Sequence, residues 1–255
     1  MGIAAKSVDV NIFRVETSSI EVTDASSVDY TNNWVRDLSD GDDFVVSFWV
    51  RPGSTTNKTF TVISIATSDS NLRARISIDI NASAQGKLII EHDANPGSGQ
   101  GLKAETAFGD LPLNNWNHVI YSWDDSTSTF KLAINDSTVT PTITGSGVKM
   151  FETSGSHSYD TDDTRLGYKE KDGSGATDHL FGCIAEFWTK DVYYDVSQTV
   201  NRRKFISATG KPVTLPASPL VYLHGSTSTW SNTGSTDLGT QTLSNIFSCI
   251  DEASD

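Results

Sequence analysis

Apolar and polar residues alternate with period two over much of the chain. In the stretch 44–51, FVVSFWVR, Phe44, Val46, Phe48 and Val50 share one face, while Val45, Ser47, Trp49 and Arg51 share the other. In 72–80, LRARISIDI, Leu72, Ala74, Ile76, Ile78 and Ile80 oppose Arg73, Arg75, Ser77 and Asp79. Such alternation predicts strands buried on one side of an antiparallel sheet. Similar runs occur at TFTVISIAT, GKLIIEHD, HVIYSWD, TFKLAIND, TRLGYKE, HLFGCIAEFW and PLVYLHG. Turn residues punctuate them, at Arg51-Pro52-Gly53, Ser68-Asp69-Ser70-Asn71, Asn95-Pro96-Gly97 and Asp172-Gly173-Ser174-Gly175. Many short strands at this spacing predict a sandwich or jelly roll, and no strand–helix–strand alternation or internal repeat competes with it.

One helix is predicted in DVSQTVNRRKFISATGKP, 195–212. Asp195 and Ser197 are its candidate N-caps, and Gly210 and Pro212 its stop signals. Val200, Phe205 and Ile206 make a poor apolar stripe, so the expected helix is short and lies on the sandwich. The stretch 213–255 is rich in Ser, Thr and Gly but keeps strand-like patches, which predicts a loopy, docked segment.

The hairpin predicted at 116–136 holds the densest chemistry. Val119, Tyr121 and Trp123 before the turn, and Phe130, Leu132 and Ile134 after it, should feed one core. Asp124 and Asp125 fall in the connector DDSTST, where an aspartate bonds its own backbone. His118 alternates with Ile120 and Ser122, about six residues and thus roughly 20 Å from those aspartates. A Ser-His-Asp set is therefore not expected, nor is there a Gly-x-Ser-x-Gly turn to hold a nucleophile. His118 reads instead as a partly buried histidine bonded to backbone.

The chain has 255 residues, with 19 Lys+Arg against 32 Asp+Glu, a net charge of −13. That field repels phosphate backbones and anionic bilayers, so neither nucleic acid nor membrane is an expected partner. Eleven Phe, seven Tyr and six Trp supply core material despite an apolar fraction of 36%. Cys183 and Cys249 allow one disulfide but are too few for a disulfide framework. Cys183, inside the apolar run LFGCIAEFW, reads as a buried free thiol. No signal-peptide pattern or membrane span is visible.

Each candidate site competes with a plainer structural role. Glycosidases place two carboxylates about 5–5.5 Å or about 6.5–9.5 Å apart. Ile78-Asp79-Ile80 and Glu91-His92-Asp93 do not supply that pair, which leaves Glu186 as the best single carboxylate. Zinc spacings are missing. Asp160, Asp162 and Asp163, with the loop 172–178, are the calcium candidates, against the general preference of Asp for turns. Trp34, Trp116, Trp230 and the pair Tyr193-Tyr194 lie outside the cleanest alternating runs and are the aromatics available for glycan contact.

The order of four patterns resembles the laminin G-like, concanavalin A-like jelly-roll family. They are SSIEVTDAS; FVVSFWVRP, with its Trp49-Val50-Arg51-Pro52 ending; NNWNHVIYSWDDSTSTFKLAINDSTV; and TRLGY followed by LFGCIAEFWTKDVYYDVSQTVNRRKF. Together they span residues 18–212. The resemblance implies an all-β antiparallel sandwich with one short helix, a Glu at 186 without catalysis, and in some members a rim calcium. A second pattern, Pro219-Leu220-Val221-Tyr222-Leu223-His224-Gly225 followed by Trp230-Ser231-Asn232-Thr233-Gly234, is similar to the closing segment of jelly-roll proteins in tailed-phage particles.

The expectation is thus an N-terminal arm or edge strand over 1–17 and a single jelly-roll domain over 18–255. Its expected role is a non-enzymatic structural or adhesive protein of a bacteriophage virion, decorating the capsid or forming part of a fibre. Other virion proteins and copies of itself are its expected partners, with glycans or the host surface as a further contact and no cofactor. Such a protein assembles in the host cytoplasm and needs no export signal. The alternative is a secreted, calcium-dependent glycan-binding module of lectin type.

Overall fold

The computed structural model describes residues 19–22, 27–30, 43–66, 72–92, 102–145, 163–167, 169–171, 175–226, 229–244 and 247–249. The arm over 1–17, Trp34, Asp160, Asp162 and the turns at 68–71 and 95–97 lie outside the described residues.

The first large sheet is built from β1 (Ser19–Val22), β3 (Phe44–Pro52), β8 (Asn117–Asp124), β9 (Thr129–Ile134), β10 (Ser137–Val139), β15 (Gly182–Lys190), β16 (Val221–His224), β17 (Ser231–Asn232) and β19 (Phe247–Ser248). Its order is β10-β9-β8-β3-β15-β1-β19, with β16 paired to β15 and β17 to β16 off this path. The second sheet holds β2 (Ser27–Tyr30), β4 (Lys58–Ala66), β5 (Leu72–Ile80), β6 (Gly86–His92), β7 (Leu102–Glu105), β11 (Thr142–Thr144), β12 (Asp163–Leu166) and β18 (Gln241–Ser244). It runs β11-β7-β6-β5-β4-β12-β2-β18. β13 (Lys169–Lys171) and β14 (Gly175–Thr177) form a separate hairpin. Every strand pairing among the described residues is antiparallel, as expected for strands joined by short turns.

The alternation read from the sequence sets what lies between the sheets. Phe44, Val46, Phe48 and Val50 from β3 meet Ala74, Ile76, Ile78 and Ile80 from β5 in one core. The hairpin register pairs Val119 with Ile134, Tyr121 with Leu132 and Trp123 with Phe130, and all six enter that core. Truncating a side chain as large as the buried Trp123 would cost about 3–5 kcal/mol.

The other face of the nine-stranded sheet is also buried. Val45, Ile120, Ala133 and Trp188 pack with Val196 and Phe205, and Trp49 and Ala185 pack with Ile206. The segment 191–216 covers this face. Within it the helix α1 is only Thr199–Arg202, capped at Gln198 rather than at Asp195 or Ser197. Asp195 instead accepts the Ser197 hydroxyl and main-chain N–H in the preceding turn. Arg202 is buried and donates to the carbonyls of Val196 and Ser197 and to Asp136 at 2.9 Å, which fastens the segment to the turn after β9.

The cysteines depart from the expectation. Cys183 is not a free thiol: it is bonded to Cys249, with Cα atoms 6.0 Å apart at a sequence separation of 66. Sequence distance hides this pairing, because β1 pairs with β15 and β19 with β1, which brings Cys249 within bonding reach of Cys183. Both residues are buried.

Candidate functional site

The histidine, serine and aspartates of the 116–136 hairpin do not meet. His118 is fully buried on the outer face of the nine-stranded sheet, opposite Trp49, with ring centroids 5.0 Å apart. Its Nε2 pairs with the Ser47 hydroxyl at 2.9 Å, and its main-chain N–H donates to Asn135 Oδ1. The imidazole is therefore bonded to a side chain rather than to backbone. Burial pushes its pKa down to about 3, against a weaker upward pull from Asp136. Ser122 donates to the Phe44 carbonyl and accepts the Tyr194 N–H, so its hydroxyl is committed to structure.

Asp124 closes its own turn. It accepts the hydroxyls of Ser126 at 2.6 Å and Thr127 at 2.8 Å, and those bonds hold its carboxyl below the usual range. Glu186 is just as unsuited to act on a substrate. It lies at the β15 irregularity between Ala185 and Trp188, with φ 52° and 2% exposure. Bulges re-aim a side chain, and here the carboxylate is aimed away from solvent.

The outward face of the eight-stranded sheet is the extended polar surface among the described residues. A row of cross-strand neighbours runs from the buried Arg165 and Ser64 out to Arg75, Glu91, Lys103 and Thr144. A parallel row runs Thr59, Asp79 and Lys87. Opposite charges face one another along both. Arg75 reaches Glu91 at 2.6 Å and Lys87 reaches Glu105 at 2.9 Å, while Thr59 donates to Asp79 at 3.2 Å. The Lys87 hydrogen bond keeps the Glu105 carboxyl low, and the same bond raises the Lys87 ammonium. A general acid needs the opposite shift, a carboxyl raised toward neutrality. This face offers fixed donors and acceptors rather than a proton to transfer.

The aromatics expected at a glycan surface are distributed differently. Trp230 is buried, with its indole N–H donating to the Tyr30 hydroxyl at 3.1 Å. Trp116 is half-buried under Arg51, and Tyr193 and Tyr194 are half-buried. Among the described residues the exposed aromatic rings are Phe108 and Phe181, neither of which the sequence reading singled out. Phe181 was hidden inside the run HLFGCIAEFW, which reads as one strand although β15 begins at Gly182. Of the calcium candidates, the backbone of Asp163 is described at the start of β12, and in the loop 172–178 Asp178 is described, 3.6 Å from Arg75. Among the described residues no three His, Cys, Asp or Glu side chains cluster as a metal site, and no helix is long and apolar enough to cross a membrane.

Solved structures share this architecture. The CBM40 module of a Ruminococcus gnavus IT-sialidase superposes with a TM-score of 0.52 at 14% identity, covering 72% of this chain and 95% of that one. The same module bound to α2,6-sialyllactose gives 0.51 at 12% identity, covering 72% and 97%. A Bacteroides ovatus protein assigned to carbohydrate binding gives 0.51 at 12% identity, over 92% of this chain and 60% of that chain. At these identities the likeness is one of fold. By sequence, no curated protein matches the chain. The model of the concanavalin A-like lectin/glucanase superfamily, laminin G type, matches residues 19–188. With its two antiparallel sheets and the strand order that those residues form, the chain belongs to the concanavalin A-like lectin/glucanase superfamily.

Proposed function

We propose that this protein is a non-enzymatic adhesive module that contacts glycans. One observation carries the reading: the outward face of the eight-stranded sheet is lined by Arg75, Asp79, Lys87, Glu91 and Glu105, each held by a neighbour across the strands. Such preorganised polar groups bind hydroxyl-rich ligands at low entropic cost, whereas hydrolysis needs a carboxyl raised enough to give up a proton. The carbohydrate contacts of the fold's neighbours agree with this reading. A mixed array of neutral and acidic oligosaccharides, probed with and without a chelator, tests it. Binding without release of reducing sugar is the expected result. Sugar release that Glu186→Gln abolishes would replace the reading with a hydrolase, and chelator-sensitive binding would favour a calcium-dependent lectin.

The setting we infer is the surface of a bacteriophage virion, as a capsid decoration or fibre component assembled from copies of the chain. The closing segment supports it: the stretch with the phage-like pattern supplies β16, which pairs with β15, and β17, which pairs with β16. Mass spectrometry of purified particles should find the chain, and its absence from them would remove that setting while leaving glycan contact in place.

A further inference from the structure

A cleft of about 460 Å³ opens where the loop after β3, the start of β4 and the segment leading into β15 come together. Thr55, Lys58, Thr59, Asp178, His179 and Phe181 are among its lining residues. The volume lies within the range of small-ligand sites, which combine an apolar wall with a few convergent polar groups. Here the wall is the Phe181 ring, 47% exposed although the residue sits between the buried Leu180 and the start of a central strand.

The ring is held in place by its surroundings. The Gly53 N–H donates to the Phe181 carbonyl at 2.7 Å, and the Thr61 N–H donates to the Asp178 carbonyl at 2.7 Å. Leu180 is tied to the Gly167 carbonyl in the same way. A Cβ at Gly53 would fall 2.3 Å from the Phe181 ring, so only glycine lets the aromatic lie this close to the end of β3. An exposed ring fixed from behind loses little freedom when a ligand covers it.

The polar groups differ in character. Asp178 lies 3.6 Å from Arg75 Nη1, longer than a direct hydrogen bond, and its side chain is 38% exposed. It therefore keeps acceptor capacity toward the cleft. The Lys58 ammonium supplies donors, and Thr55 and Thr59 supply hydroxyls.

Building on the glycan reading above, we propose that this cleft is the subsite for one neutral pyranose ring, with the sugar's C–H face on Phe181 and neighbouring hydroxyls donating to Asp178. An acidic sugar would bring its charge beside Asp178 in a chain of net charge −13, which disfavours it.

The test is titration of the intact protein with cellotriose, maltotriose, mannotriose and lactose, alongside 3′-sialyllactose and glucuronate-bearing trisaccharides. At least one neutral oligosaccharide should bind. Phe181→Ala and Phe181→Leu should each weaken it by about tenfold or more, as should Asp178→Asn, while Val200→Ala at an exposed apolar position on α1 changes nothing. Leucine keeps apolar bulk against Gly53, and asparagine tolerates the Asp178 φ of 54°. Unaltered melting temperatures then separate lost contact from lost fold. Affinity should hold from about 50 to about 500 mM salt, because no ion pair with the ligand is involved. Full affinity in both Phe181 variants would overturn the cleft assignment and leave glycan binding standing. Salt-sensitive binding of acidic sugars alone would overturn the neutral-ring assignment. Failure to bind any oligosaccharide, here and on the array, would overturn the glycan reading and this subsite together.

Discussion

His118 Nε2 and Ser47 Oγ lie 2.9 Å apart across the β3–β8 pair, both side chains sealed from water by the segment that crosses the sheet. The imidazole is held neutral there, with its pKa pushed from 6.5 to about 3 by burial. His92, buried near Phe44 and Tyr121, is pushed down to about 3 for the same reason. Because the folded values lie below the unfolded one, both groups stabilise the fold fully above pH 6.5. That stability is lost as pH falls from 6.5 toward 3, at about 1.4 kcal/mol per pH unit for each. Urea unfolding at pH 7, 6 and 5 should show midpoints falling together with pH. His118→Gln, which can still bond Ser47, should remove about half the slope, and a flat profile would contradict neutral buried imidazoles.

The Tyr30 hydroxyl accepts hydrogen bonds from both the Trp230 indole and the Gln241 amide, at 3.1 and 3.0 Å. Burial raises its pKa, so it stays a phenol at every workable pH. Tyr30→Phe leaves Trp230 Nε1 without that acceptor inside the protein and should cost about 1–3 kcal/mol. The same change at an exposed tyrosine should be near neutral, and denaturant midpoints would distinguish them.

Asp136 joins two arginines. Arg202 reaches one carboxylate oxygen at 2.9 Å and Arg203 the other at 2.6 Å. Burial pushes the carboxyl up, but the two guanidinium groups outweigh it and hold the group below its ordinary range. Asp136→Asn tolerates the local φ of 65° yet strips the buried Arg202 of its counter-charge. A loss of about 2–3 kcal/mol is expected, measured by thermal or urea unfolding. Because Arg202 is buried, added salt should change that loss little.

The Cys183–Cys249 bond closes a 66-residue separation. Chain-entropy reasoning assigns such a cross-link about 4 kcal/mol. Reduction, or replacement of both cysteines by serine, should lower the melting temperature accordingly. Titration of the untreated protein under denaturing conditions should find no reactive thiol.

The strand alternation was legible because each strand of a half-buried sheet repeats its own signal. Phe44, Val46, Phe48 and Val50 announced the inner face, and the inward set of the hairpin fell into the expected register. The second buried layer was less legible. FVVSFWV is apolar at Val45 and Trp49 as well, and a run apolar on both faces signals burial on both. What covers that outer face is mostly irregular chain with no period to read. Trp230 could not be placed from sequence, because its partner Tyr30 lies 200 residues away. The candidate site was the least legible part. Phe181 reads as a strand residue, and only the close approach of Gly53 and the bonds from neighbouring loops turn its ring outward.

The disulfide also decides how the molecule would carry load. β19 is joined to β1 over only Ile20–Ser248 and Glu21–Phe247, a pairing that a pull on the chain beyond Cys249 would open easily by itself. Through the Cys183 sulfur, that pull passes to β15, which is bonded to β1, β3 and β16. Tension applied beyond Cys249 therefore enters the sandwich through a central strand and is shared among its neighbours rather than borne by the β1–β19 pairing alone.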